Sequence, residues 1–299
     1  MFLRKGIVMF RLLIVFLNLI TRMPLSVLYL LSDILAPLIY HVVRYRRKVV
    51  RRNLIKSFPE KSISEIKKIE RKFYRYFCDL FIEALYQLNM SEEEMCRRVE
   101  FVNKELITEQ YDKGKSVMMF TAHYGNWEWM ASLSLWLPKD KPACNVYKKL
   151  KADNFDKFMY DLRMRFGSRN IETQQTFRSL LSLKNNGQSA TFGMISDQTP
   201  TAAGTRHWMT FLNQDTPVLV GAEQLARKFD YPVMFGSVSR VKRGYYRCEF
   251  IMLDENPKSA PEFEITEKYM RLLETKINES PEFWLWTHKR WKHRKPAGL

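Results

Sequence analysis

The segment Thr121-Ala-His-Tyr-Gly-Asn-Trp-Glu128 sets an imidazole and a carboxylate five residues apart around a Gly-Asn pair. An imidazole titrates near neutral pH, so His123 can take a proton from a hydroxyl and return it. A carboxylate bonded to one ring nitrogen fixes the tautomer and leaves the other nitrogen free as general base. On one continuous helix His123 and Glu128 would stand about 140° apart. They meet only if His123 lies in a turn ahead of the helix, which Gly125 and Asn126 supply. Asn126 is then the N-cap, and Glu128 falls in the first turn, where the helix dipole favours its anionic form. The reading predicts that Glu128 orients the His123 ring, as the acid of a catalytic triad does, with no serine present.

No protein nucleophile accompanies the pair. The chain has no GxSxG elbow, HExxH helix, Walker loop or GxGxxG turn, so it lacks the parts of serine hydrolases, zinc peptidases and nucleotide-binding enzymes. Cys78, Cys96, Cys144 and Cys248 are isolated from one another and from any ligand spacing, which predicts neither a metal site nor a disulfide framework. The nucleophile must then belong to the substrate. A lipid or sugar hydroxyl attacking a thioester fits, and it needs no metal or cofactor.

The elements that hold these residues change character along the chain. Ser62 to Leu88 carries apolar residues at helical spacing among many charges. From about residue 115, short apolar runs alternate with amphipathic stretches. Ser116 to Phe120, Ala143 to Tyr147, Ala190 to Ile195, Pro232 to Val238 and Tyr246 to Leu253 read as strands; Phe155 to Phe166, Phe177 to Lys184, Pro217 to Phe229 and Ile265 to Ile277 read as helices. Thr216 is the expected cap of the Pro217 helix. Such alternation predicts an α/β fold, a sheet flanked by helices. His123 and Asp197 each follow a predicted strand, the end at which open α/β sheets bind ligands.

Two apolar stretches, Ile7 to Ile20 and Pro24 to Val43, precede this region, with no cleavage site after them. Six cations in nine residues follow at once: Arg44, Arg46, Arg47, Lys48, Arg51 and Arg52. Cations beside an apolar helix suit anionic headgroups on the cytoplasmic side of a membrane, or else form a solvated basic face. We therefore expect a membrane anchor or interfacial segment over residues 1–45 and a catalytic domain over 46–299, helical to 112 and α/β from 113. Net charge is +17, which calls for an anionic partner without choosing one. Near the end, Trp284, Trp286, His288, Lys289, Arg290, Trp291, Lys292 and Arg294 interleave rings and cations, again as expected at a membrane interface. No RNA-module signature is present, so nucleic acid is not the expected partner.

Several blocks, in order, resemble the lipid A biosynthesis (late, secondary) acyltransferases, within the lysophospholipid acyltransferase group marked by His followed after four residues by Asp or Glu. They are Arg52-Asn53-Leu54 with Phe58-Pro59, His123 to Glu128, Val146-Tyr147-Lys148, Leu162 to Gly167, Ser196-Asp197-Gln198, and Phe283 to Lys292. The resemblance implies a glycerol-phosphate acyltransferase-like mixed sheet flanked by helices. It implies an acyl carrier protein or coenzyme A thioester as donor, a lipid A precursor or related glycolipid as acceptor, and attachment to the cytoplasmic face of a Gram-negative inner membrane. It further implies that His123 deprotonates the acceptor, that Glu128 supports it, and that Arg163 or Arg165 and Asp197 with Gln198 belong to the site. Tyr147-Lys148 stands where relatives often carry Tyr-Arg-Pro, which bears on the acceptor rather than the reaction. Lys148, Lys149 and Lys151 either hold acceptor phosphates or form a solvated run. Two residues apart on a helix, only one of Arg163 and Arg165 faces the site, and Arg163 is preferred. The rivals are a lysophospholipid or aminolipid acceptor, and a non-catalytic basic protein that docks on membranes or nucleic acid.

Overall fold

A computed structural model of the chain describes residues 2–296. Positions 1 and 297–299 of the expected domains, and the side chains of Ile7 and Arg11, lie outside the described residues. The strands are β1 (Val99–Val102), β2 (Val117–Thr121), β3 (Ala143–Tyr147), β4 (Arg169–Glu172), β5 (Thr191–Ile195), β6 (His207–Phe211), β7 (Gln214–Val218), β8 (Val233–Lys242) and β9 (Tyr245–Asp254). The α-helices are α1 (Phe2–Ile20), α2 (Leu25–Pro37), α3 (Arg47–Ser57), α4 (Ile63–Tyr86), α5 (Glu92–Arg98), α6 (Glu105–Asp112), α7 (Asp153–Met164), α8 (Thr176–Asn185), α9 (Gly221–Phe229) and α10 (Glu264–Glu279).

Seven strands form one sheet in the order β1-β9-β8-β2-β5-β3-β4. All neighbours are parallel except β8 and β9, which pair antiparallel. The fold is therefore mixed α/β with a mostly parallel sheet. Because successive side chains of a strand point to opposite faces, β2 feeds two cores at once. Met118 and Phe120 join Val233, Phe235, Ala226, Tyr269 and Leu273, while Val117 and Met119 join Met234, Phe250, Trp129 and Ile107. Burial on both faces explains why Val117 to Phe120 is an unbroken apolar run.

Residues Gln214–Val218 form a strand, not the start of the helix expected from Thr216 and Pro217, and α9 begins only at Gly221. The signal that decides this is the preceding pair Leu212-Asn213, both at positive φ (49° and 59°), which turns β6 back onto β7. Thr216 is buried and accepts a hydrogen bond from the Trp291 indole at 2.7 Å, so it is unavailable as a cap.

Ser62 caps α4 with a reciprocal Glu65 interaction, the pattern that fixes where this helix starts. Its apolar and polar positions both matter downstream, for α4 is the rod between α2 and the sheet. The stretch Leu25–Val43 is one continuous apolar helical segment, π-helical over Leu38–Val43, long enough to cross a membrane and mostly unburied.

Candidate active site

His123 and Asp197 owe their meeting to strand register. β2 and β5 are parallel neighbours with Thr121 opposite Ile195, so the residues two further on face each other. The Ser196 N–H donates to the Thr121 carbonyl at 3.1 Å and carries the pairing one step past both strands. Asp197 Oδ1 then lies 2.7 Å from His123 Nδ1, and Oδ2 accepts the His123 backbone N–H at 3.0 Å and the Trp284 indole N–H at 2.8 Å. Burial alone would push the Asp197 carboxyl up. The adjacent His123 charge and these hydrogen bonds outweigh it and hold Asp197 below the usual carboxylate range. On the other side of the ring, Nε2 is 3.2 Å from the Gln198 side-chain nitrogen. An anionic Asp197 favours the proton on Nδ1, which leaves the Nε2 lone pair free to accept one.

Glu128 does not make this contact. Its two oxygens take a bidentate pair of hydrogen bonds from Arg163, both at 2.8 Å, and the Trp127 indole donates to Oε1 at 3.2 Å. The expectation that Glu128 orients the His123 ring by a direct hydrogen bond is thus corrected. Asn126 accepts from the Trp129 N–H at 3.1 Å, but the segment that follows is a 3-10 helix, Trp129–Leu135, with Glu128 and not Asn126 at its N-cap position. Glu128 itself precedes that segment, aimed at the end of α7. Glu128 is linked to His123 through Trp127, whose ring meets the imidazole edge-on with centroids 5.1 Å apart.

A buried polar cluster braces the turn from behind. Glu83 of α4 accepts from Asn126 at 2.8 Å, from Tyr246 at 2.7 Å and from Tyr29 of α2 at 2.6 Å. Tyr76 donates to the Gly125 carbonyl. Gly125 has φ +61°, and a Cβ there would stand 2.5 Å from Val238 Cγ1, so only glycine fits.

Of the other expected residues, Arg163 and Gln198 join the site. Arg165 turns instead to the Met90 carbonyl at 2.7 Å. Lys148, Lys149 and Lys151 are exposed beyond β3, and Tyr147 packs against Tyr160. The aromatic-cationic tail divides: Trp284, Trp286 and Arg290 are buried in the core and not at an interface, while Lys289, Lys292 and Arg294 are exposed. Trp284 supports Asp197, and Thr199, one residue past Gln198, donates to the Arg290 carbonyl. Arg290 keeps Nε and Nη2 buried without partners, and burial lowers its guanidinium to about 10. No spacing in the sequence marks Trp284 or Glu83 as neighbours of His123. Their role comes from tertiary packing alone.

Residues 2–293 match the family described as bacterial lipid A biosynthesis acyltransferase. No curated protein matches the chain.

Proposed function

Because the chain belongs to the bacterial lipid A biosynthesis acyltransferases, and so is an acyltransferase, we propose that it moves a fatty acyl group from a carrier thioester to a hydroxyl of a lipid A precursor or related glycolipid, with His123 as base. The observation that carries the reading is the Asp197–His123 pair at the carboxyl ends of two adjacent parallel strands, its Nε2 turned away from the carboxylate. The donor is an acyl carrier protein or coenzyme A thioester.

Both substrates bind before reaction. The hydroxyl displaces Gln198 from Nε2 and passes its proton to the ring as its oxygen attacks the thioester carbon. A C–O bond forms, the C–S bond breaks, and the imidazolium returns the proton to the departing thiolate. Asp197 stabilises the imidazolium through Nδ1. The Gln198 amide, which stands 3.2 Å from Nε2 before the hydroxyl arrives, is then free to donate to the developing oxyanion. Glu128 acts one step removed: it anchors Arg163 and Trp127, and Trp127 fixes the ring's edge. Hydrogen-bonded to Arg163, it supports the site as a positioning residue.

The protein is read as membrane-attached through α1 and α2, with the catalytic region on the cytoplasmic face. Leu12, Phe16, Leu30 and Ile34 are exposed along these helices and Val42 along the π-helical turn that follows, an unusual outlay of large apolar side chains for water. A panel of lipid A precursors, lysophospholipids and aminolipids, assayed with acyl carrier protein and coenzyme A thioesters, tests donor and acceptor together. Transfer to a glycolipid that is abolished in a folded His123→Ala protein is the expected result. Undiminished transfer by that variant removes the mechanism, and a preference for lysophospholipid or aminolipid removes the acceptor assignment.

A further inference from the structure

An open cavity of about 810 Å³ lies between α3, the β6–β7 turn and the C-terminal segment. Its lining includes neither His123 nor Asp197. Five cations face it, Arg52, Lys56, Lys292, Arg294 and Lys295, against one acid, Asp215. Among the described residues none of these five forms an ion pair. Within the basic run, Arg47 and Arg51 are the paired members among the described residues, both reaching the buried Glu70, at 3.3 and 2.8 Å. Like charges gathered around a concavity repel one another and focus a positive potential into it, which an anion relieves.

The walls are fixed while the cations are free. Asn53 spends its amide on the Trp286 and His288 carbonyls, Trp291 donates to Thr216, and His293 bonds the Pro200 carbonyl at 3.1 Å. The last contact ties the cavity to the loop that carries Asp197 and Gln198.

We propose that this cavity binds the phosphate of a membrane-lipid headgroup. Its place relative to the apolar surface decides among anions. Val42 and Val43 are exposed at the end of the apolar segment, and α3 starts four residues later. α3 does not run straight on from the apolar segment: the backbone turns at Arg44 and Arg46, both at positive φ (53° and 48°), and Arg47 and Arg51 stay on Tyr40, the first 4.3 Å over its ring and the second 3.5 Å from its hydroxyl. Arg52, the next residue, is thereby held beside the end of the apolar segment, where the polar layer of a bilayer is about 5–8 Å deep. A lipid with its chains beside Leu25–Val43 presents its phosphate there. Lysine and arginine suit phosphate oxygens, the arginine with paired donors. The proposal rests on the membrane attachment read above and not on the His123 chemistry.

The full chain in a nonionic detergent is titrated by calorimetry with dihexanoyl phosphatidic acid, dihexanoyl phosphatidylcholine and inorganic phosphate. Wild type is compared with Arg52→Gln/Lys56→Gln/Lys292→Gln. The expected result is phosphatidic acid bound more than tenfold tighter than phosphatidylcholine, with that margin lost in the triple variant and reduced by added salt. Equal binding by wild type and triple variant overturns the proposal. Inorganic phosphate bound as tightly as phosphatidic acid overturns the headgroup assignment in favour of free phosphate. If circular dichroism shows the triple variant unfolded, Lys292→Gln and Arg294→Gln are titrated singly. A few-fold loss in each supports the site, and no loss in either overturns it. Flotation of wild type with phosphatidylcholine vesicles reads the apolar helices alone. A protein that floats but fails the titration loses only this proposal, and one that does not float loses the membrane reading.

Discussion

The Asp197 carboxylate spans the ring and the main chain of His123, Oδ1 at 2.7 Å from Nδ1 and Oδ2 at 3.0 Å from the backbone nitrogen. Since Oδ2 also receives the Trp284 indole N–H, each oxygen has a set role.

Asp197→Asn is expected to be nearly inactive while folded. An amide NH₂ at the Oδ2 position would face two donors, so the asparagine turns its NH₂ towards Nδ1. The ring must then accept at Nδ1 and carry its proton on Nε2, where the base is needed. Loss of general-base catalysis predicts a fall of about 10²–10⁴-fold in kcat. Steady-state kinetics check the rate, and a histidine-resolved NMR spectrum checks the tautomer.

Glu128 and Arg163 form one unit, each mostly buried at 12% and 23% exposure. Removing either partner strands a charge in a poorly solvated place, whereas removing both does not. Glu128→Gln and Arg163→Gln should each lower activity and stability. The double variant should be no worse than the poorer single one, with a coupling of about 1–3 kcal/mol in a urea-unfolding cycle. Strict additivity would mean that the two do not act together.

Local chemistry wrote much of this molecule plainly. The unbroken apolar runs at Met118–Phe120 and Phe192–Met194 betray a sheet covered on both faces, and the Ser62/Glu65 box marks the start of α4. His123 stands after a strand, as the Gly125-Asn126 turn suggests. Which acid serves it is a different kind of fact. The pairing of Thr121 with Ile195 joins positions 74 residues apart, and no window of sequence contains it. Glu128 looks like the partner because it is near in sequence, yet the turn points it at α7. The tail misleads for a related reason: rings interleaved with cations have the composition of an interface, while the burial of Trp284, Trp286 and Arg290 depends on Asn53, Thr199 and Asp197 arriving from elsewhere.

Gly125→Ala should abolish activity and destabilise the fold. A left-handed conformation costs a non-glycine residue about 1–2 kcal/mol, and the new methyl meets Val238 at 2.5 Å. Adding Val238→Ala relieves the clash but not the φ of +61°. The double variant should therefore recover part of the thermal stability lost in Gly125→Ala, measured against Val238→Ala, and not all of it.

Glu83 separates two kinds of loss. Burial pushes its carboxyl above the usual range, and three donors converge on it. Glu83→Ala leaves Tyr29, Tyr246 and Asn126 unpartnered, at about 1–3 kcal/mol for each buried group. Glu83→Gln keeps an oxygen for Asn126 and Tyr246 and asks only that the Tyr29 hydroxyl rotate to accept. Glutamine should retain most of the melting temperature and alanine should lose several degrees. Equal losses would show that the carboxylate's charge, and not its acceptors, holds the turn.

His288 gives the stability an acid limb. Burial lowers its imidazole from 6.5 to about 4, with Asp197 opposing and Arg290 and His123 reinforcing the shift. The folded protein therefore holds His288 neutral at a pH where the unfolded chain has already taken up the proton. The unfolded state binds more protons between these values, so stability falls as pH drops from about 6.5 towards 4. Asp197, depressed in the folded state, contributes stability above its unfolded range that disappears only at lower pH, as the folded carboxylate is protonated. Urea midpoints for wild type and His288→Asn at pH 7.5, 6, 5 and 4.5 distinguish these effects. The asparagine variant should show a shallower decline below pH 6.5, and identical slopes would mean that His288 is protonated as readily in the fold as out of it.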